Sequence, residues 1–191
     1  MEKQKAIELL RRSGALLEGH FLLTSGNHSA KYIQCALLLA HPDLAAPFME
    51  DIASHHERMH VDAVVAPAVG GIIVSFEVGR ILGKRALFLE REKGAMTLRR
   101  GFEILQGEKL LIVEDVITTG SSVMEVSDVV SSRGGVPVAF ASIVNRSEGR
   151  FRPGAPYYAC VNMDIPIYTP AECPLCASGV PAVKPGSRGL A

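Results

Sequence analysis

Two adjacent carboxylates and a run of small hydroxyl residues stand side by side near the middle of the chain, in the segment LIVEDVITTGSS at residues 111–122. The apolar residues before Glu114 are typical of a short strand buried on both faces. Gly120 and four hydroxyl side chains then precede an amphipathic stretch. A helix starting there would present free N–H groups and hydroxyl donors to a phosphate. Because Glu114 and Asp115 would repel a phosphate, we expect them to face sugar hydroxyls or Mg²⁺ and its waters. The segment therefore predicts a site for a phosphorylated ribose.

A plain capped helix is the simpler interpretation of the same residues, with one Ser or Thr satisfying the first turn. It accounts for one hydroxyl, but not for the carboxylate pair or for the four hydroxyls at Thr118, Thr119, Ser121 and Ser122. The segment contains neither the GK[ST] of a Walker loop nor the GxGxxG of a dinucleotide site. We therefore favour the phosphate-binding interpretation.

The apolar pattern around this segment alternates between strand and helix. Runs of β-branched and other apolar residues predict strands at 62–67, 85–90, 110–113 and 136–144. Apolar residues at helical spacing predict helices at 2–13, 42–59, 72–82 and 122–133. This alternation predicts an α/β fold with a parallel sheet and helices on both faces. Ligands bind such sheets beyond the carboxyl ends of the strands, where the carboxylates and hydroxyls described above would lie.

Composition limits the classes of protein to which the chain could belong. With 191 residues, 48% hydrophobic and 21% charged, it predicts a single folded domain over residues 1–191 rather than a disordered chain. Twenty basic residues against 20 acidic ones argue against a protein built to hold nucleic acid. No apolar run approaches a membrane span, and the N-terminus lacks a signal-peptide core, so we expect a cytoplasmic protein. Five of the 11 prolines fall at about 166–191, which predicts an irregular tail.

The segment at 111–122 resembles the signature of the type I phosphoribosyltransferases, and further segments resemble the orotate phosphoribosyltransferase family. These segments occur in order over nearly the whole chain, at residues 24–32, 66–71, 90–102, 145–146, 173–176 and 184–188. The resemblance implies a type I phosphoribosyltransferase fold with a small hood built from the N- and C-terminal parts. It also implies transfer of the phosphoribosyl group from phosphoribosyl pyrophosphate to orotate in pyrimidine biosynthesis.

The resemblance further implies roles for individual residues. The catalytic set is Asp115, Glu114, Lys93 and Arg99. The phosphoribosyl pyrophosphate set is Arg91, Glu114, Asp115, Val116, Ile117, Thr118, Thr119, Gly120, Ser121 and Ser122. The orotate set is Ser25, Gly26, Thr118 and Arg146. Mg²⁺ would be held mainly by the substrates rather than by the protein. The partner would be a second copy of the chain, with a mobile lid at about 91–101 closing over the neighbour's site.

Each of these roles has a simpler alternative. Arg146 could be an ordinary surface arginine at a strand end, and Gly70 with Gly71 could merely cap a helix. Residues 91–101 could be a solvated charged hairpin. The function alternatives are a phosphoribosyltransferase for another base and a regulator that senses phosphoribosyl pyrophosphate. The chain also has Thr24, Gly70 and Glu92 where some family members carry lysine, which leaves the individual pyrophosphate contacts undetermined.

The pair Cys173 and Cys176 forms a single C-x-x-C motif. With only Cys35 and Cys160 elsewhere, it has no second cysteine pair, and no histidines at zinc-ligand spacing stand beside it in the sequence. We therefore expect no metal there. His20 and His28 flank the segment assigned to orotate but have no predicted role. His55 and His56 are predicted to be surface residues of a helix.

Overall fold

The computed structural model describes residues 1–23 and 25–184. Its strands are β1 (Leu16–Leu22), β2 (His28–Ile33), β3 (Ala63–Pro67), β4 (Arg85–Glu92), β5 (Ala95–Leu98), β6 (Lys109–Ile117), β7 (Val136–Asn145), β8 (Tyr157–Asn162) and β9 (Ile167–Tyr168). Its α-helices are α1 (Lys3–Arg12), α2 (Cys35–Leu39), α3 (Pro42–His56), α4 (Gly70–Leu82), α5 (Ser121–Ser132) and α6 (Pro174–Ala177). No helix in this part of the chain is long and apolar enough to cross a membrane.

A six-stranded sheet with the order β5-β4-β3-β6-β7-β8 forms the centre of the fold. The strands from β4 to β8 in that order pair in parallel, and only β5 at the edge is antiparallel. The chain runs from β3 to β4 on one side and then returns to place β6 on the other side of β3. The carboxyl ends of β3 and β6 therefore form the point where the strand order reverses, which is where open α/β sheets bind ligands.

Helices cover both faces of this sheet, as predicted. On one face, Val64 and Ala66 of β3 pack with residues of α1, α3 and α4. On the other face, Ala63 and Val65 of the same strand pack with Val123, Val126 and Val130 of α5. Alternate residues of one strand thus enter two separate apolar cores, which is why a parallel strand reads as an uninterrupted apolar run.

A small second sheet of order β1-β2-β9 forms the predicted hood from the two ends of the chain. The β1–β2 hairpin is antiparallel, and β9 adds to β2. Val183 extends the attachment, because its N–H donates to the His20 carbonyl at 2.8 Å and its carbonyl accepts from the Leu22 N–H at 2.9 Å. The prediction of an irregular tail at 166–191 is thus wrong for its described part. That part contains β9, a 3₁₀ turn (Pro170–Glu172) and α6.

The remaining differences from the predicted elements have local causes. The predicted strand at 110–113 continues to Ile117, because β7 pairs with it as far as Asn145. His56 is buried, not exposed as predicted, and its Nδ1 lies 2.7 Å from the Ile52 carbonyl oxygen. His55 is exposed, as predicted. The strands of the hood and β8 were not predicted, because short half-exposed strands give little period-two contrast.

Candidate active site

Three loops meet at the carboxyl edge of the central sheet. The turn after β3 leads into α4 at Gly70, β6 leads through Thr118 to α5, and Arg146 directly follows β7. They border a cleft of about 590 Å³ together with the end of β2 and the start of α2. The lining residues are Tyr32, Ile33, Gln34, Cys35, Ala36, Leu39, Ala40, Val69, Gly70, Ile73, Asp115, Val116, Thr118 and Arg146.

Glu114 and Asp115 lie on the extended last part of β6 rather than in a turn. Because neighbouring strand residues point in opposite directions, the pair divides between two cavities. Asp115 lines the large cleft, whereas Glu114 lines a smaller pocket at the start of α5. The backbone N–H of Asp115 donates to Glu114 Oε1 at 3.2 Å, and the N–H of Val116 donates to Asp115 Oδ1 at 2.8 Å. These bonds fix both carboxyl groups at the boundary between the cavities.

Burial, and to a lesser degree the Asp115 carboxylate, raises the pKa of Glu114 to about 9. Two carboxylates this close together in a poorly solvated site repel each other, so one of them holds a proton near neutral pH. The free site therefore carries less negative charge than the sequence suggests. Hydroxyl groups or a developing positive charge beside the pair would favour release of that proton.

The smaller pocket, about 40 Å³, is built by the turn from β6 into α5. It is lined by residues 116–123 together with Glu114. Thr119 Oγ1 lies 3.2 Å from Ser121 Oγ and accepts from the Ser121 N–H at 3.3 Å. The helical hydrogen-bond ladder begins with the Met124 N–H donating to the Gly120 carbonyl at 3.0 Å. The earlier N–H groups of an α-helix lack intrahelical acceptors, so this pocket presents backbone and hydroxyl donors to an anion.

Two glycines make these turns possible. Gly120 has φ +82°, in the left-handed region, and a Cβ there would overlap the ring of Phe151. Gly70 sits against the carboxyl group of Asp115, so a Cβ there would displace Oδ2. Both positions therefore admit only glycine without a local shift.

Arg146 is held at the cleft by its backbone, because its N–H donates to the Ile117 carbonyl at 2.8 Å. Its Nε is buried and has no hydrogen-bond partner among the described residues. Burial also lowers the pKa of this guanidinium from its ordinary value. A buried donor without an acceptor is costly. Arg146 also lines the cleft, where its guanidinium can pair with a planar carboxylate or imide.

The other predicted site residues lie outside this cleft. Residues 91–101 form the edge hairpin of β4 and β5, where Arg91 pairs with Glu125 at 2.7 Å and Arg99 with Glu92 at 3.4 Å. Lys93 lies in the turn of the same hairpin. Ser25 and Gly26 lie in the exposed β1–β2 turn; Thr24 beside them and residues 185–188 of the last family segment fall outside the described residues.

Sequence reasoning missed two groups of residues. Tyr32, Gln34 and Cys35 line the cleft. The family resemblance of residues 24–32 covers Tyr32, and nothing in the sequence pointed to Gln34 or Cys35. The second group is His20 and His28, which lie beside Cys173 and Cys176 in the hood. The expectation that this C-x-x-C motif lacks further ligand residues is therefore wrong, because β-sheet pairing brings in histidines that are distant in sequence.

Comparisons with known proteins agree with this geometry. A family described as "Phosphoribosyl transferase domain" matches residues 37–174. The orotate phosphoribosyltransferase of Caldicellulosiruptor bescii is 50% identical over 188 residues, covering 98% of this chain and 99% of the relative. That of Caldanaerobacter subterraneus is 47% identical over 190 residues, covering 100% of both. The crystal structure of orotate phosphoribosyltransferase from Aeropyrum pernix has a TM-score of 0.71 at 24% identity, covering 82% of this chain and 92% of that one, and this likeness bears on the fold alone. On the family match and these full-length relatives, the chain belongs to the phosphoribosyl transferase family and, within it, to the orotate phosphoribosyltransferases.

Proposed function

We propose that this chain transfers the phosphoribosyl group of phosphoribosyl pyrophosphate to orotate, releasing pyrophosphate and forming orotidine 5′-monophosphate for pyrimidine biosynthesis. The observation that carries the proposal is Arg146, which is half-buried, lines the cleft and forms no ion pair with a carboxylate of the described residues. The cleft thus has a cationic, planar group for the base on one side. Across Asp115 it adjoins a donor-lined pocket for the 5-phosphate.

The arrangement supports separate roles for the end of β6 and for the turn that leads from it into α5. Thr118 to Ser122 hold the 5-phosphate with hydroxyl and backbone donors at the start of α5. Glu114 and Asp115 receive the ribose hydroxyls between the two cavities. As the bond from ribose C1 to pyrophosphate breaks, positive charge grows on the ribose. Ionised carboxyl groups fixed beside it then stabilise that charge more than they stabilise the ground state.

Arg146 and Thr118 are the proposed contacts to the base. A guanidinium presents a fork of donors that matches a carboxylate or an imide edge, and orotate has both. Ser25 and Gly26 belong to this proposal through the hairpin turn, which would have to fold over the cleft to meet the base. Both residues are exposed in the described structure, so in this proposal they contact the base only after the turn has moved.

Mg²⁺ fits the donor set of this site. The carboxyl group of Asp115 lines the open cleft, and that of Glu114 lines the adjoining pocket. This suits an ion that keeps most of its waters and binds through one or two carboxylates and substrate phosphates. When bound with phosphoribosyl pyrophosphate, the ion supplies charge neutralisation for the leaving pyrophosphate. The protein's own part is to position the sugar and the base around it.

We further propose a homodimer in which each lid, at residues 91–101, serves the neighbour's cleft. The lid cations Arg91, Lys93 and Arg99 do not line the cleft of their own chain. Val69, Ile73 and Phe76 follow one another at helical spacing, and their side chains are 80%, 44% and 60% exposed. Val69 and Ile73 also line the cleft, so these exposed apolar residues at its edge support burial against a second copy.

The lid cations can exchange partners at little cost. Arg99 and Glu92 are 3.4 Å apart, with about half of each side chain exposed. Exposed ion pairs stabilise a protein by only about 0–1 kcal/mol, so the more highly charged pyrophosphate can displace such partners. Lys93 and Arg99 are then the proposed catalytic cations that offset the charge growing on the leaving group. A cytoplasmic location stays a prediction from the sequence.

The test of the proposed function is a base panel. Pyrophosphate release is measured with phosphoribosyl pyrophosphate, Mg²⁺ and, in turn, orotate, uracil and adenine. We expect release with orotate and little with the other two, since neither uracil nor adenine carries the carboxylate that Arg146 would bind. Equal release with uracil would overturn the orotate assignment while leaving the phosphoribosyl transfer in place.

A further inference from the structure

Four side chains suited to a soft divalent metal converge in the hood, away from the cleft. His20 and His28 come from β1 and β2, and Cys173 and Cys176 come from the segment around α6. One ligand atom from each lies within 4.8 Å of all the others. His20, His28 and Cys173 are 4%, 8% and 2% exposed, whereas Cys176 is exposed and opens the cluster to solvent.

The spacings match a tetrahedral site. With Zn–S near 2.3 Å and Zn–N near 2.0–2.1 Å, neighbouring ligand atoms of a tetrahedron lie about 3.3–3.8 Å apart. Cys173 Sγ lies 3.4 Å and Cys176 Sγ 3.8 Å from His20 Nε2. Cys176 Sγ lies 3.2 Å from His28 Nδ1, and the two histidine nitrogens are 2.8 Å apart. Outward shifts of a few tenths of an ångström would admit the ion.

The hydrogen bonding of His20 fixes which of its two ring nitrogens carries the proton. His20 Nδ1 lies 2.7 Å from the Val180 carbonyl oxygen, which can only accept, so Nδ1 carries the proton. In the neutral ring, Nε2 then carries the lone pair, which faces His28 Nδ1 at 2.8 Å and the two cysteine sulfurs at 3.4 and 3.8 Å, and the ion would replace this contact between the histidines. A metal-bound histidine usually donates its other N–H to a carbonyl or carboxylate in this way.

We propose that His20, His28, Cys173 and Cys176 bind a structural Zn²⁺ that fastens the C-terminal segment to the β1–β2 hairpin. Two thiolates and two imidazoles form a closed Cys₂His₂ set, typical of structural zinc with no position left for a substrate. Binding releases the two thiol protons to solvent, with no change of oxidation state. The ion would join residues that are about 150 positions apart, as the pair Cys173 and His20 is.

The test is the zinc content of the full-length protein. The chain is produced in zinc-supplemented medium, kept reduced and exchanged into metal-free buffer, and zinc is counted by mass spectrometry. We expect about one zinc per chain in the wild type and less than about a tenth in Cys176→Ser and His28→Gln. Cys160→Ala removes a cysteine that lies elsewhere, against the Phe48 carbonyl, and should keep the full content.

Two further readouts keep the proposal testable if a variant folds poorly. Cobalt added to the metal-free wild type should give the intense visible absorption of tetrahedral thiolate coordination. Chelation should lower the Tm of the wild type by roughly 5–10 °C and should leave the Tm of Cys176→Ser unchanged. A wild type that binds no zinc when reduced, or a Cys173→Ser/Cys176→Ser double variant that keeps it, would overturn the proposal. The metal count does not depend on turnover, so its failure is distinct from failure of the proposed activity.

Discussion

At the scale of single residues, the proposed selectivity for orotate depends on Arg146. Arg146 is the cation that lines the cleft of its own chain in the described structure, and its Nε forms no hydrogen bond with the described residues. Asp115 of β6 and Thr118, the first residue after β6, line the same cleft. Because orotate differs from uracil by a carboxylate, a buried guanidinium is the group that can convert this difference into selectivity.

Replacing Arg146 by alanine should therefore weaken the binding of orotate much more than the binding of phosphoribosyl pyrophosphate. Loss of a charge-assisted hydrogen bond costs roughly 1.5–3 kcal/mol, which is about a ten- to hundred-fold rise in the orotate KM. The matched control is Arg150→Ala, since Arg150 is exposed and contacts its own loop, with Glu148 at 3.5 Å and a hydrogen bond of 3.0 Å to the Ser147 carbonyl. Equal weakening of both substrates in Arg146→Ala would assign Arg146 a purely structural role.

Glu114 should make the stability of the protein depend on pH. Its pKa of about 9 in the folded chain exceeds the ordinary value of 4.5, so the folded state holds an extra proton between these values. The stabilisation is complete below about pH 4.5 and is lost as the pH rises through about 9, by up to about 1.4 kcal/mol per pH unit.

The measurement is the urea midpoint of unfolding at about pH 6 and about pH 8.5. Glu114→Gln cannot ionise, so its midpoint should fall less over this interval than that of the wild type. Glu103→Gln changes an exposed glutamate and should behave as the wild type does. If the urea midpoints of the wild type and of Glu114→Gln fell equally over this pH interval, the raised pKa of Glu114 would be contradicted.

At the scale of elements, the junction between β6 and α5 positions both the carboxyl pair and the phosphate pocket. The left-handed conformation of Gly120 and its contact with Phe151 set the direction in which α5 leaves the sheet. An error of direction here would move every N–H group that faces the phosphate. The geometry of this turn is therefore a condition for binding as well as for folding.

Gly120→Ala should lower both stability and affinity for phosphoribosyl pyrophosphate. The control is Gly83→Ala at the end of α4, where φ is +65° but nothing lies within 4 Å of a new Cβ. Both variants carry the strain of the left-handed conformation, about 1 kcal/mol, and overlap with Phe151 should add about 1–3 kcal/mol in Gly120→Ala alone. Thermal unfolding and the phosphoribosyl pyrophosphate KM provide the readouts. Equal effects of the two variants on both would contradict the packing argument.

The central elements were accessible from the residue pattern itself, whereas the hood was expected only from the family resemblance and its strands were not predicted. β3, β6 and β7 read as apolar runs because each is buried on both faces, and the hydroxyl-rich turn follows the strand that it must follow. The strand character of Glu114 to Ile117 was hidden, since it depends on pairing with β7 rather than on local propensity. The cluster of His20 with Cys173 was hidden for a similar reason. Its members meet only because β9 and Val183 attach to the hairpin.

At the scale of the whole molecule, the proposed lid cations lie away from the cleft of the described chain, which Arg146 lines. Arg91 and Arg99 lie on the edge hairpin, in ion pairs with Glu125 and Glu92. A twofold dimer brings each hairpin to an equivalent place on the partner, so one symmetry operation could complete both sites. The exposed apolar residues Ile73 and Phe76 mark a face for such an association.

Hybrid dimers test this sharing. Asp115→Asn and Arg99→Ala should each be crippled alone, and unfolding and refolding them together should make about half of the dimers hybrids. In a shared arrangement, one site of each hybrid collects both defects and the other collects none. About a quarter of wild-type activity per site should then return. No recovery, with hybrids confirmed by mass, would show that each lid serves its own chain.

The most direct test of the central claim follows orotate itself. The loss of orotate absorbance is recorded on mixing the wild-type chain with orotate, phosphoribosyl pyrophosphate and Mg²⁺, and pyrophosphate is counted in the same sample. Omitting any one component should stop the reaction. The account predicts one pyrophosphate released for each orotate consumed, with orotidine 5′-monophosphate as the product. Unchanged orotate absorbance in the complete mixture, with the chain folded and both substrates intact, would contradict it.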